Sequence, residues 1–529
     1  MSEVNGHSHP DAAAFSPFAG GHFSPRSRSQ WIAFLPSVLL CALSWLAGGI
    51  PRLTDVGFLL LTVACFVFFI SELWNFSRRF GIGGIVLYLG TLIWFCHDYF
   101  NNWFLRSDVD FPIRAVTVAK AAFLYSLFIM CMTVGLRTRG GRLLQRIILS
   151  VPEPGSQTAY FLIVLLIFAF GIFPFMFFSY DPFFTSLYHG AFSSWVGPVR
   201  WTTGRTGNLN YSWGAYLAQV IQTGGVGGIF AAFFAIMVST QLWTKIIAWA
   251  IWGYWCMYAF NDGRRGPMLF MFLPPIGLLF IKYHSDVAAV LRKISFKAYL
   301  TAGALGLVLL VIVQIQGTFR AIGLDKTDLS QIDLIKNQGN SMFSEGLRGY
   351  DLIPEQHDFF SNNYWGQSIV MPYVDTVWNF VIGPIPRALW TTKPVDPLWE
   401  WYNKVITGDY SGRVGTTVSK GLVGTWYFNY GICGVLEGGF LVGWLMGLCE
   451  RCLQNSEGRP MGLLMSLGFA VWLFRSFRDF AFNDLYGFII GAIVLALFSY
   501  SFRIFNAPKQ PAPDYAPEFD PAHEASLSL

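Results

Sequence analysis

The stretch VGFLLLTVACFVFFIS, Val56 to Ser71, contains no charged residue. Apolar runs of this kind, roughly 18 to 24 residues long, recur along the chain, and each can cross a hydrocarbon core of about 30 Å. Their starts fall near Trp31, Val56, Ile82, Ile113, Ala159, Gly214, Leu242, Pro267, Tyr299, Gly421, Met461 and Tyr486. The reading is an all-α polytopic membrane protein with about twelve transmembrane helices. Composition agrees. Only 13% of the 529 residues are charged, against about a quarter in a soluble domain. The net charge of +5 does not point to nucleic acid, because most basic residues sit in short loops between the runs.

Those loops set the expected orientation. Arg78 and Arg79, the group Arg137, Arg139, Arg142 and Arg146, then Lys245, Lys282, Arg292, Lys293, Lys297, Arg451 and Arg459 alternate with the runs so as to share one side. An excess of Lys and Arg marks the cytoplasmic side. Residues 1–30 and 507–529 then read as disordered cytoplasmic tails. The first has no signal-peptide apolar core, and the second is Pro-rich. Residues 31–316 hold spans one to nine with an external loop at 179–211. Residues 317–420 form one large external loop, and 421–506 hold spans ten to twelve. The segment His284 to Lys297 reads as an amphipathic helix on the inner surface. Smaller external loops are expected at Ile50 to Val56, His97 to Ile113 and Asn261 to Gly266.

The large loop carries the chemistry. Basic groups suited to phosphate, Arg387, Lys393 and Arg413, occur there with Trp390, other aromatic residues and His357. Gly383-Pro-Ile-Pro-Arg387-Ala-Leu-Trp390 is stiffened by its prolines and presents Arg387 and Lys393 at set positions. Outside it, Arg264 and Arg265 run against the orientation bias. They read either as interfacial anchors or as an anion site, since guanidinium groups grip phosphate oxygens bidentately. Arg205, in the 179–211 loop among Tyr and Trp, belongs either to an interfacial cap or to a second wall of the site. Two charges fall within expected spans, Lys120 in the fourth and Glu437 in the tenth. Such charges are costly, so they either pair with each other or serve function, Lys120 by helping to bind diphosphate.

None of the eight cysteines lies between Gln316 and Lys420, and Cys449 and Cys452 have no second pair or nearby histidine. No disulfide framework and no metal site is expected.

Three strings carry a family resemblance. They are Pro386-Arg387-x-x-Trp390-x-x-Lys393-Pro394, Gly424-x-x-Tyr427-x-Asn429-Tyr430-Gly431-x-x-Gly434, and Gly263-x-Arg265. Together they resemble the O-antigen polymerase, or oligosaccharide repeat unit polymerase, family over the second half of the chain. Arg413 and Gly424 also have the Arg-x10-Gly spacing found in external loops of that group, whereas Arg264, Arg265 and Arg387 do not. The resemblance implies a GT-C-like glycosyltransferase of the bacterial plasma membrane, using neither metal nor cofactor. It would join oligosaccharide repeat units carried on undecaprenyl diphosphate at the outer face, making a surface polysaccharide. Its partners would be that lipid-linked oligosaccharide and membrane lipid, with a chain-length regulator (co-polymerase) and a flippase as further candidates. Arg265 and Arg387 would stabilise the leaving diphosphate, and His357 would serve as base, with Asp375 and Glu345 as alternatives. Arg264, Lys393, Arg413, Lys120, Arg205, Tyr427 and Trp390 would bind substrate. Three other classes stay open. One is a lipid-linked glycan ligase. Another is a metal-dependent GT-C enzyme, for which Asp55 and Asp108-Val109-Asp110 are the acidic candidates. The third is a flippase or exporter.

Overall fold

A computed structural model describes residues 30–75, 81–96, 99–100, 115–179, 225–261, 265–282, 390, 421–456, 459–477 and 483–505. Among the described residues every regular element is helical. In chain order these are α1 (Leu35–Leu46, with a 3-10 lead-in Gln30–Phe34), α2 (Pro51–Trp74), α3 (Ile82–Thr91) and α4 (Ala115–Arg137). Then come α5 (Arg142–Leu149), α6 (Gln157–Ser179) and α7 (Gly225–Val238). The last are α8 (Leu242–Asn261), α9 (Arg265–Lys282), α10 (Leu422–Gln454), α11 (Pro460–Ser476) and α12 (Asn483–Phe505).

Pro51–Trp74, Val118–Arg137 and Gly431–Gln454 are long and apolar enough to cross a membrane, and six further apolar helices among the described residues are shorter. Leu43, Val63, Phe66 and Val67 are all more than half exposed. A soluble monomer rarely shows so many large apolar groups outward. The architecture is that of a helical membrane protein.

The tightest helix pair is α4 with α10, and glycine makes it so. A Cβ on Gly439 would lie 2.7 Å from the Phe128 carbonyl oxygen, one on Gly443 2.0 Å from that of Met132, and one on Gly447 2.4 Å from that of Leu136. Gly135 answers from the other side, 2.1 Å from the Phe440 oxygen. Small residues four apart let backbones touch where lipid provides no hydrophobic drive for helix association. The register advances in the same sense on both helices, so α4 and the body of α10 run parallel.

Helix α10 is not one straight rod. Gly431 has φ 60°, the left-handed region that glycine enters without steric cost. A Cβ on Gly438 would lie 2.8 Å from Trp426 Cβ and 2.2 Å from its ring. Twelve residues of straight helix would separate those positions by about 18 Å. The chain therefore reverses at Gly431, and the arm from Leu422 folds back along the helix that follows. Its first N–H, on Leu422, donates to the Phe477 carbonyl at 3.1 Å, so the end of α11 meets the start of this arm. A Cβ on Gly90 would lie 2.6 Å from the Phe477 ring, which sets that junction level with the middle of the bundle. Residues 421–427 are all buried.

Contacts at the helix ends gather the basic residues. Arg451 Nη1 donates to Thr138 O (3.1 Å), Gln145 Nε2 to Arg451 O (3.4 Å) and Arg459 Nη1 to Leu149 O (3.4 Å). The Met461 N–H donates to Glu153 Oε1 at 2.8 Å, and Lys282 Nζ donates to the Ile236 carbonyl. Gln157 Nε2 reaches Ser239 Oγ at 3.4 Å. Arg137, Arg139, Arg142, Arg146, Lys245, Lys282, Arg451 and Arg459 thus share one end of the bundle, the basic face. Ile50, Ala115, Gly431 and the start of α9 lie at the opposite face.

Three local expectations are revised. Ile50 to Val56 is not a loop, because α2 starts at Pro51, where proline suits a first helical turn. The stretch long and apolar enough to cross a membrane starts at Gly431 rather than Gly421. Residues 142–149 form a helix inside what reads as a basic loop. Spans expected from Gly214 and Tyr299 lie wholly or partly outside the described residues, as do the tails, the 179–211 loop past Ser179, the His284–Lys297 segment and all of 317–420 except Trp390.

Candidate functional site: a lysine between two aromatic rings

Lys120 sits on α4 five residues in from its first residue, close to the face opposite the basic one. Its ammonium lies 5.5 Å from the centroid of the Tyr427 ring and 5.9 Å from that of Trp45. Both distances are within cation–π range. Of the residues singled out in the sequence, Lys120 and Tyr427 are the two that the described structure brings together. They meet because the fold-back at Gly431 carries Tyr427 back into the bundle. Tyr427 is buried, and its Cε2 lies 4.0 Å from where a Gly431 Cβ would be. Trp45 is held from behind by Phe123, stacked at 5.5 Å and 24°.

The α1–α2 turn supplies Trp45. Gly49 has φ 89°, and a Cβ there would lie 2.2 Å from Val116 N, so only glycine lets this turn press onto the start of α4. Ser37 Oγ and Ser126 Oγ are 2.8 Å apart, which with the Gly49–Val116 approach makes α1 antiparallel to α4. Ser44 Oγ bonds Thr54 Oγ1 at 2.7 Å and ties α1 to α2. These contacts put Trp45, Asp55, Lys120 and Gly431 at about the same depth. Asp55 accepts a 2.7 Å hydrogen bond from Tyr99 OH, and Tyr99 stacks on Phe58 at 4.0 Å.

Burying an ammonium at mid-helix in a bilayer costs about 3 kcal/mol on insertion scales. A position near the helix end reduces that, and each aromatic face returns about 1 kcal/mol or more when desolvated. The two aromatic faces therefore offset part of the cost of this half-buried ammonium. Such a group can stabilise an anion that arrives from the membrane boundary.

The other sequence candidates stand differently. Arg265 begins α9 at the same face as Lys120; only its backbone is among the described residues. Trp390 is half-buried. Arg205, Arg264, His357, Arg387, Lys393 and Arg413 lie outside the described residues. Glu437 is on α10 and exposed. Cys449 and Cys452 are buried, and the Cys449 thiol donates to the Ser466 carbonyl at 3.1 Å. Among the described residues no group of three His, Cys, Asp or Glu could hold a metal ion. Trp45 and Tyr99 were not singled out as site residues, and Asp55 was named only as an acidic candidate for the metal-dependent alternative. Their one signal is position, an aromatic residue and a carboxylate flanking a Gly-Gly turn.

Fold and site together define a helical membrane protein that holds a cation against aromatic rings at one end of its bundle. No family model matches the chain, and neither does any curated protein or solved structure.

Proposed function

We propose that the protein is a GT-C-like membrane glycosyltransferase that polymerises oligosaccharide repeat units carried on undecaprenyl diphosphate at the outer face of the plasma membrane. The observation that carries this is the Lys120 ammonium fixed between Trp45 and Tyr427 beside a broken helix. Broken helices in bilayers are buried in protein or line a water-filled cavity rather than face lipid. A fixed cation suits a diphosphate, and aromatic faces suit a sugar ring. An excess of Lys and Arg favours the cytoplasm, and with the basic face there the cluster lies at the outer face, as this reading requires.

In the reaction a hydroxyl of the incoming unit attacks the anomeric carbon of the growing chain. The bond from that carbon to the diphosphate oxygen breaks, and its electron pair leaves with the lipid diphosphate. The hydroxyl proton passes to a base. Lys120, with Arg265 and Arg387, meets the charge that develops on the leaving group. Preorganised groups of this kind are worth about 10²–10³ in rate each. His357 is the base on the sequence reading. Asp55, named in the sequence as a metal-binding candidate and oriented by Tyr99 at the depth of Lys120, is a second candidate base.

The test is a purified assay with a lipid-diphosphate oligosaccharide, scored for a ladder of products with and without EDTA. Wild-type protein gives a ladder that the chelator does not remove. Lys120→Met, Arg265→Ala and Arg387→Ala leave single-repeat substrate unconsumed at normal protein level. A full ladder from Lys120→Met removes the reading. Transfer to a different acceptor without a ladder identifies a ligase, and movement of lipid-linked substrate with no new bond identifies a flippase.

A further inference from the structure

Helix α5, Arg142–Leu149, follows α4 at the basic face and is strapped across the ends of α10 and α11. A Cβ on Gly141 would lie 2.9 Å from the Trp444 ring, and one on Gly462 2.9 Å from Leu149 Cδ2. Gln145 Nε2 donates to Arg451 O, and Leu149 O accepts from Arg459. That fixes which side of α5 faces the protein: Gln145, Ile148 and Leu149. The remaining arc is split. Arg142 and Arg146, one turn apart, are exposed. Beside them Leu143 and Ile147, also one turn apart, are 72% and 57% exposed. Arg139 precedes the helix and is exposed too, and no acidic residue occurs between Arg137 and Val151.

A basic stripe beside an apolar stripe on a short outward helix has one solvent that satisfies both, the boundary between headgroups and acyl chains. Height agrees independently. At the same face Trp74 closes α2 and Trp243 opens α8, 84% and 75% exposed, and tryptophan concentrates at that boundary. Because α5 hangs from the ends of spanning helices, its outward face is held at the level where lipid phosphates lie.

We propose that α5 is an in-plane anchor that binds the phosphates of anionic phospholipid through Arg139, Arg142 and Arg146, with Leu143 and Ile147 set among the acyl chains. The partner is the lipid leaflet itself, chosen by charge complementarity and by continuity with the lipid-facing surface of the spanning helices. This surface is separate from the Lys120 cluster and does not depend on the reaction proposed for it.

The experiment is native mass spectrometry of the full chain in detergent with equal phosphatidylglycerol and phosphatidylcholine. Wild-type protein retains phosphatidylglycerol preferentially. The variant Arg139→Gln/Arg142→Gln/Arg146→Gln loses that preference by roughly fivefold for each arginine removed. Arg139→Lys/Arg142→Lys/Arg146→Lys keeps it, because preference for the anionic over the zwitterionic headgroup follows the charge of the side chains. Leu143→Ser/Ile147→Ser retains less of both lipids at an unchanged ratio. Helicity and monodisperse elution check that each variant folds. A wild-type ratio in the glutamine variant overturns the proposal, as does a lysine variant that behaves like it. Displacement of the lipid by inorganic phosphate would make the site one for free anion and overturn it equally.

Discussion

Lys120 poses a trade between stability and function that one substitution can separate. Methionine has similar length and no charge, so Lys120→Met relieves the cost of an ammonium in the bilayer while keeping contact with Trp45 and Tyr427. The expected result is a thermal midpoint in detergent equal to or above wild type, with polymer formation lowered about 10²-fold. A midpoint that falls along with activity would mark the lysine as structural. Tyr427→Phe keeps the ring and should retain most activity, whereas Tyr427→Ala should not. Lys120 and Tyr427 were legible in the sequence, one as a charge inside an apolar run and the other within the family-like string. Trp45 was not, because one tryptophan among 20 carries no mark of which charge it faces. Glu153 makes a second case at this scale. It sits between α5 and α6, accepts from Tyr160 OH and from the Met461 N–H, and burial raises its pKa against the opposing effects of those bonds and of Arg459. With the folded pKa above the unfolded one, the folded state holds its proton to higher pH. That contribution to stability is complete below the ordinary carboxyl range and is lost as pH rises through the folded value. Glu153→Gln should therefore flatten the dependence of the melting midpoint on pH over that window, without lowering the midpoint at neutral pH.

At the scale of elements, two glycines on α10 should fail for different reasons. Gly443→Ala puts a methyl 2.0 Å from a backbone oxygen of α4, and neither backbone can yield alone. The expected loss is about 2 kcal/mol, as for overpacking, read as a lower melting midpoint. Gly253→Ala on α8, with nothing within 4 Å, is the control. It should be neutral or gain up to about 1 kcal/mol from helix propensity. Gly431→Ala meets no close atom but must hold φ 60°, a strain of about 1–2 kcal/mol. Because that strain opens the fold-back, activity should fall further than stability. The apolar runs gave several helix starts to within a residue or two, at Ile82, Leu242 and Met461. They could not give the reversal at Gly431. A buried arm and a spanning helix are equally apolar, so hydropathy is blind to the direction in which the chain travels. Helix α5 escaped for the opposite reason: Arg-Thr-Arg-Gly-Gly-Arg reads as loop until its outward stripe is seen.

The whole molecule turns on which face is outside. The contacts put Arg137, Arg139, Arg142, Arg146, Arg451 and Arg459 at one end and the Lys120 cluster near the other. An excess of Lys and Arg on short connections favours the cytoplasm, so Ile50 should face outward and Ser150 inward. Both are exposed, and neither belongs to the proposed site. In intact cells Ile50→Cys should react with a membrane-impermeant maleimide, while Ser150→Cys should react only after permeabilisation. Each signal is read against the parent chain, whose Cys433 is also exposed. The reverse pattern would put the aromatic-bound lysine in the cytosol, away from the outer face at which the proposed reaction takes its substrate, and the polymerase proposal would fail. The α5 proposal survives either result, because anionic lipid can be supplied to either leaflet. The two ideas can thus fail separately, one by topology and the other by lipid selectivity.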